Sequence, residues 1–107
     1  MRYFLYARKS TDVEDKQVLS IESQLAELRV LAKSEKLEVA EEFVEKKSAK
    51  MPGRPVFNEM IARIQKGEAQ GIVCWKLDRL ARNPVDGGQI QWLLQNSVIA
   101  DIKTHDR

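Results

Sequence analysis

Two short apolar runs constrain this chain more than anything else in it. Tyr3-Phe4-Leu5-Tyr6-Ala7 and Ile72-Val73-Cys74-Trp75 are continuous, without the polar alternation of a half-exposed strand. Strands of this kind are covered on both faces, the habit of a parallel sheet clothed by helices. The intervening segments supply those helices. After Ser20, a good N-cap, Ile21, Leu25, Leu28, Leu31 and Ala32 recur at helical spacing over Ser20–Lys36. A strand is predicted near Leu37–Val44. Pro52-Gly53 marks a turn, and Pro55 suits a first helical position. Phe57, Met60, Ile61 and Ile64 then form one stripe, which Gly67 ends. Pro84 opens another helix with Ile90, Leu93 and Leu94 as its apolar contacts, weakened early by Gly87-Gly88. Val98–Thr104 reads as a last strand. The order β-α-β-α-β-α-β predicts an α/β domain of three layers, with a mainly parallel central sheet of four to five strands flanked by helices.

Composition narrows the function classes. At 107 residues the chain reads as a single domain, 1–107, able to bury roughly 65% of its unfolded surface. With 43% apolar and 32% charged residues it belongs with globular domains rather than disordered ones. No run approaches the roughly 20 apolar residues of a membrane span, and no secretory signal opens it. The reading is a cytoplasmic protein. One cysteine, Cys74, and one histidine, His105, leave no disulfide scaffold and no zinc site. Cys74 reads as a small core residue, His105 as a frayed surface residue. The net charge of +2 hides an asymmetry. Glu35–Glu45 holds five acidic residues and one lysine, whereas Lys46–Arg82 holds nine basic residues and three acidic ones. Such a basic window suits an anionic partner, nucleic acid being the commonest, or is simply a solvated face.

In open parallel sheets, function gathers beyond the carboxyl ends of the strands. Arg8–Asp12 and Lys76–Arg82 fall there. Arg8 and Ser10 stand at i and i+2, so in an extended segment they face one space. If Lys76–Arg82 is a helical turn, Arg79 and Arg82 are i,i+3 neighbours and Asp78 lies beside Arg82 at i,i+4. Paired guanidinium groups clamp a tetrahedral anion such as phosphate. A serine beside that clamp is a candidate nucleophile whose target's charge the arginines stabilise. Taken singly, each segment also has a bland reading, the serine as a cap and Asp78–Arg82 as a surface ion pair. No Walker-type or Gly-x-Gly-x-x-Gly loop competes, nor a carboxylate cluster for two-metal chemistry. Three functions stay open on these residues. They are a phosphodiester-acting enzyme, a non-catalytic α/β association module with a passive DNA-contacting face, and an enzyme acting on a small phosphate ester.

Four segments together resemble the serine recombinases, the resolvase/invertase superfamily. Tyr6-Ala7-Arg8-Lys9-Ser10-Thr11 resembles the nucleophile motif, and Lys76-Leu77-Asp78-Arg79-Leu80-Ala81-Arg82-Asn83 the second motif. Ser20-Ile21-Glu22-Ser23-Gln24 resembles the glutamine-bearing helix, and Gly53-Arg54-Pro55-Val56-Phe57 the segment with a further active-site arginine. The wording is more like the large serine recombinases and integrases than the short resolvases. The resemblance implies a resolvase-like catalytic domain of a site-specific DNA recombinase. In it Ser10 cleaves DNA through a 5′-phosphoserine intermediate, with Arg8, Arg79 and Arg82 on the scissile phosphate. Asp78 orients these arginines and shares in proton transfer, while Arg54, Gln24 and Tyr6 support substrate binding. It implies no metal, no small-molecule cofactor and no membrane. The partners are DNA and further copies of the protein, dimer to tetramer in the full-length form. Two departures stand out. Many members carry an acidic residue eight positions before the second-motif aspartate, where this chain has Gln70, a change expected to tune local structure. The family's long helix and DNA-binding region do not follow, so the chain reads as a truncated core with little or no activity alone. The loops Lys9–Val18 and Lys46–Gly53 are expected to be mobile.

Overall fold

The computed structural model describes residues 1–9, 20–46 and 53–105. The elements are β1 (Arg2–Arg8), α1 (Ile21–Ser34), β2 (Glu38–Glu45), α2 (Pro55–Gln65), β3 (Gly71–Cys74), α3 (Leu77–Leu80), α4 (Pro84–Gln95) and β4 (Asp101–Thr104). The strands form one four-stranded sheet in the order β2-β1-β3-β4, every pairing parallel. The expected α/β architecture is thus present with four strands among the described residues. The mobility expected of the two loops falls mostly on residues outside that set.

Alternation along the strands sorts their side chains into two cores. Tyr3, Leu5 and Val73 pack with Leu28 of α1 on one face. Phe4, Tyr6, Ile72 and Cys74 pack on the other face with Phe57, Met60, Ile61 and Ile64 of α2, and with Ile90 and Leu93 of α4. A period of two demands this split, and burial on both faces explains the unbroken apolar runs. Cys74 is fully buried, as expected of a small core residue.

Strand β2 departs from simple alternation. Its register with β1 shifts between Tyr3 and Phe4, whose partners are Val39 and Glu41, so Ala40 is an extra residue. A bulge of this kind exchanges the faces of every residue after it. Val39 lies on the α1 face, whereas Phe43, an even number of residues later, lies on the α2 face. The bulge thereby sends Glu45 toward α2 as well.

Helix ends follow recognisable chemistry. Ser20 caps α1 through its Oγ, which accepts from the Ser23 amide, and Asn83 caps α4 by accepting from the Asp86 amide. Gly67 ends α2 at φ +87°, with the Glu68 amide bonded back to the Arg63 carbonyl. The same closure ends α1 and α4 through Lys36 and Ser97, at φ 58° and 60°. Among the described residues no helix is long and apolar enough to cross a membrane.

Candidate active site

The chain begins in the middle of its sheet. From β1 it steps out through α1 to β2, then returns through α2 on the opposite face to β3. Adjacent strands β1 and β3 thus diverge at their carboxyl ends, the crevice where parallel α/β sheets hold ligands. Arg8 ends β1 there, and α3 begins three residues after β3 and packs against both strands.

Arg8 is buried, 1% exposed, and shares the strand face of Phe4 and Tyr6 by alternation. Gln24, also buried, donates through Nε2 to the Arg8 carbonyl at 3.2 Å, which ties α1 to the end of β1. Asp78 and Arg79 are the second and third residues of α3, and their side chains lie outside the described set, as does the whole of Ser10. Arg82 follows α3 and is partly exposed. The helical relation expected to join Arg79 and Arg82 does not extend that far. The turn stops at Leu80, and Ala81 is extended at φ −153°, ψ 125°. The cause is local: Pro84 disfavours helical geometry in Asn83, which is extended and caps the next helix. Arg82 is therefore presented from a connection between two helices, not from a helix face.

Around these residues lies a buried polar network. Arg54, 1% exposed, donates through Nη1 to the Tyr6 hydroxyl at 2.9 Å. Its Nη2 donates to the Leu80 carbonyl at 2.6 Å and to Asp86 Oδ2 at 3.0 Å. The guanidinium carbon lies 4.0 Å from the centre of the Phe57 ring, a cation–π contact. The Tyr6 hydroxyl donates in turn to Glu45 Oε1 at 3.3 Å. Burial raises the Tyr6 pKa; the charges of Arg54 and Arg8 oppose the rise, and Glu45 adds to it. The Glu45 carboxylate also accepts from the Val56 and Phe57 amides at 3.3 and 2.7 Å. It thus supplies the cap that Arg54, at the N-cap position of α2, does not give with its own side chain. Asp86 Oδ2 accepts a second bond from Asn83 Nδ2 at 2.8 Å.

The structure brings Tyr6, Arg8, Gln24 and Arg54 to one end of the sheet with the α3 turn. Three participants were not singled out from sequence: Glu45, Asn83 and Asp86. Asn83-Pro84-Val85-Asp86 carried a usable signal, an N-cap, a proline at the first position and an acid at the third. Glu45 carried none, because its face depends on the bulge. Within the basic window, Arg54 and Arg63 are compensated by buried or nearby carboxylates. Arg54 pairs with Asp86, and Arg63 pairs with Glu41, Glu59 and Glu68. Gln70 lies at the opposite, amino end of the sheet, where its Oε1 accepts from the Arg2 amide and its Nε2 donates to the Gly67 carbonyl. His105 is not frayed: its ring stacks on Trp75 at 4.0 Å and 7°, and its Nε2 lies 3.1 Å from Glu27. Among the described residues no group of three or more His, Cys, Asp or Glu is placed to hold a metal.

The family model for the resolvase N-terminal domain matches residues 3–104, and the chain belongs to that family. Three solved structures have the same fold. The N-terminal catalytic domain of TP901-1 integrase is 22% identical with a TM-score of 0.75, over 99% of this chain and 79% of that one. The C-terminal catalytic domain of ISC1926 TnpA, an IS607-like serine recombinase, is 19% identical at 0.77, over 97% and 69%. A resolvase family site-specific recombinase from Streptococcus pneumoniae is 24% identical at 0.72, over 99% and 73%. No curated protein matches the chain in sequence.

Proposed function

We propose that residues 1–107 form one catalytic unit that cleaves and rejoins DNA, with Ser10 as nucleophile. The Ser10 hydroxyl gives up its proton as its oxygen attacks a backbone phosphorus. The bond from phosphorus to the 3′ oxygen breaks, and that oxygen takes a proton and leaves as a 3′-hydroxyl. The 5′ strand stays on Ser10 as a phosphodiester, so the bond energy is retained for rejoining and no nucleotide is consumed. Arg8, Arg79 and Arg82 bind the phosphate and neutralise the charge of its transition state. Asp78 orients these arginines and shares in the proton transfers. Gln24, Tyr6 and Arg54 shape the floor of the site. DNA is the substrate, and copies of the protein assemble, as dimer and then tetramer, to exchange strands.

The observation that supports this reading is the convergence of Arg8 and the α3 segment at the divergence of β1 and β3. It falls within a family whose solved relatives include recombinase catalytic domains. A passive module has no use for a hydroxyl set two residues from a buried arginine at that point. The test joins the chain to a DNA-binding domain and offers a nicked duplex from which the cleaved end diffuses away. A covalent protein–DNA adduct is expected, and Ser10→Ala should abolish it while circular dichroism stays unchanged. An adduct of undiminished yield in that variant would sink the mechanism. Arg82→Ala should slow adduct formation by roughly a hundredfold to a thousandfold, the usual effect of removing one preorganised donor.

A further inference from the structure

We propose that Asp86 is a positioning residue, acting through Arg54 and Asn83 to fix the connection that presents Arg82. The inference rests on the catalytic reading above. Its basis is geometric. The backbone ties the connection Ala81–Asn83 into both flanking helices, the Ala81 amide donating to the Leu77 carbonyl at 3.0 Å and the Asn83 carbonyl accepting from the Gly87 amide at 2.9 Å. The α3 turn is one turn long, its C-cap is extended, and Pro84 offers no N–H. Two bonds made by side-chain donors add to these backbone ties at its ends. On one side the Leu80 carbonyl, orphaned at the end of α3, accepts from Arg54 Nη2 at 2.6 Å. On the other, the Asn83 side chain donates to Asp86 Oδ2 at 2.8 Å. That same Oδ2 holds Arg54 Nη2 at 3.0 Å. One carboxylate oxygen, on a residue 2% exposed, thus meets both anchors of the connection, Arg54 before Arg82 and Asn83 after it. Arg54 has little other choice of seat. Its face lies on Phe57, Nη1 is taken by Tyr6, and Nε has no hydrogen-bond partner among the described residues. A purely structural Asp86 would matter only to the start of α4, where its own amide bonds to Asn83 Oδ1 at 2.9 Å. That amide bond survives loss of the carboxylate charge.

The two roles separate by where the backbone loosens. In the full chain, Asp86→Asn keeps the shape and removes the charge. Amide exchange at Leu80 and Ala81 should then rise roughly tenfold or more beyond any rise at Val73 in the sheet and Gly87 in α4. Unchanged exchange at Leu80 and Ala81, or an equal rise at Gly87 and Val73, overturns the proposal. Should Asp86→Asn fail to fold, Arg54→Lys answers the same question. A lysine ammonium cannot span Tyr6, Leu80 and Asp86 as the guanidinium does, so the rise at Leu80 and Ala81 is expected again. In the adduct assay, Asp86→Asn should slow covalent attachment at saturating DNA about tenfold, with DNA affinity changed less than about twofold. A loss confined to affinity also overturns the positioning role. Absence of any adduct in the unsubstituted chain counts against the recombinase reading alone, since the exchange measurement does not depend on DNA.

Discussion

Strand β1 carries two buried tyrosines three residues apart, and they end in different worlds. Tyr3 points to the α1 face at the amino end of the sheet, where its hydroxyl donates to Asp101 at 2.6 Å. Asp101 is 34% exposed and also pairs with Lys103. Tyr6 points to the opposite face at the carboxyl end, into Arg54 and Glu45. There the ion pair of Arg54 with Asp86 is 1% and 3% exposed. The first arrangement closes a surface. The second takes two charges out of water, which is a poor route to stability, because well-packed apolar residues generally serve better. The amino end is therefore explained by folding, whereas the carboxyl end calls for a use, and holding the connection that presents Arg82 is the use proposed above.

Substitutions separate the two ends by magnitude. The largest effect is expected at the carboxyl end. Asp86→Ala strands a buried guanidinium, and urea unfolding should report a loss of about 3–5 kcal/mol. Next is Gly71→Ala, where an added Cβ would meet the Tyr3 ring at 2.4 Å. The ring is boxed in, so about 1–3 kcal/mol should be lost, and Tyr3→Leu in the same chain should recover part of it. A loss at Gly71 exceeding that at Asp86 would break the contrast between the ends.

Smaller still is Tyr3→Phe, about 1 kcal/mol at neutral pH for the bond to Asp101. Burial, followed by the bond to Asp101, pushes the Tyr3 pKa up to about 12. The unfolded value is near 10, so the hydroxyl's contribution is fully present below about pH 10. It is lost as pH rises toward 12. Unfolding measured between those values should show a stability decline that is shallower in Tyr3→Phe. The decline should not vanish, because the Tyr6 pKa is raised as well. A change of similar size is a gain: Lys36→Gly relieves a left-handed lysine and should add about 1 kcal/mol.

What the sequence made legible follows the same division. The α2 stripe of Phe57, Met60, Ile61 and Ile64 is buried as its spacing predicts, and Gly67 ends that helix at positive φ. Periodicity and glycine are local signals, readable without knowing the neighbours. Leu94 was expected among the core contacts of α4 yet is 41% exposed, lining a groove with Leu77 and Ala81. A short helix with two early glycines does not define its apolar face by spacing alone. The clamp residues stood out as motifs, whereas the partners that seat Arg54 did not. Glu45 faces inward only because Ala40 is an extra residue in β2, and Asp86 is buried against Arg54, which arrives from the start of a different helix, α2. Lys36 and Ser97 close their helices without the glycine that would have marked them.

Locating the covalent bond decides whether the carboxyl end of β1 and the α3 segment form one phosphodiester-cleaving site with Ser10 at its centre. The chain joined to a DNA-binding domain is trapped on a nicked duplex, digested with protease and nuclease, and sequenced by tandem mass spectrometry. The expected product is a nucleotide joined through a 5′-phosphate to Ser10 and to no other residue. A phosphonucleotide on Tyr6, Ser20 or Ser23, or cleaved DNA with no attached peptide, rules that site out.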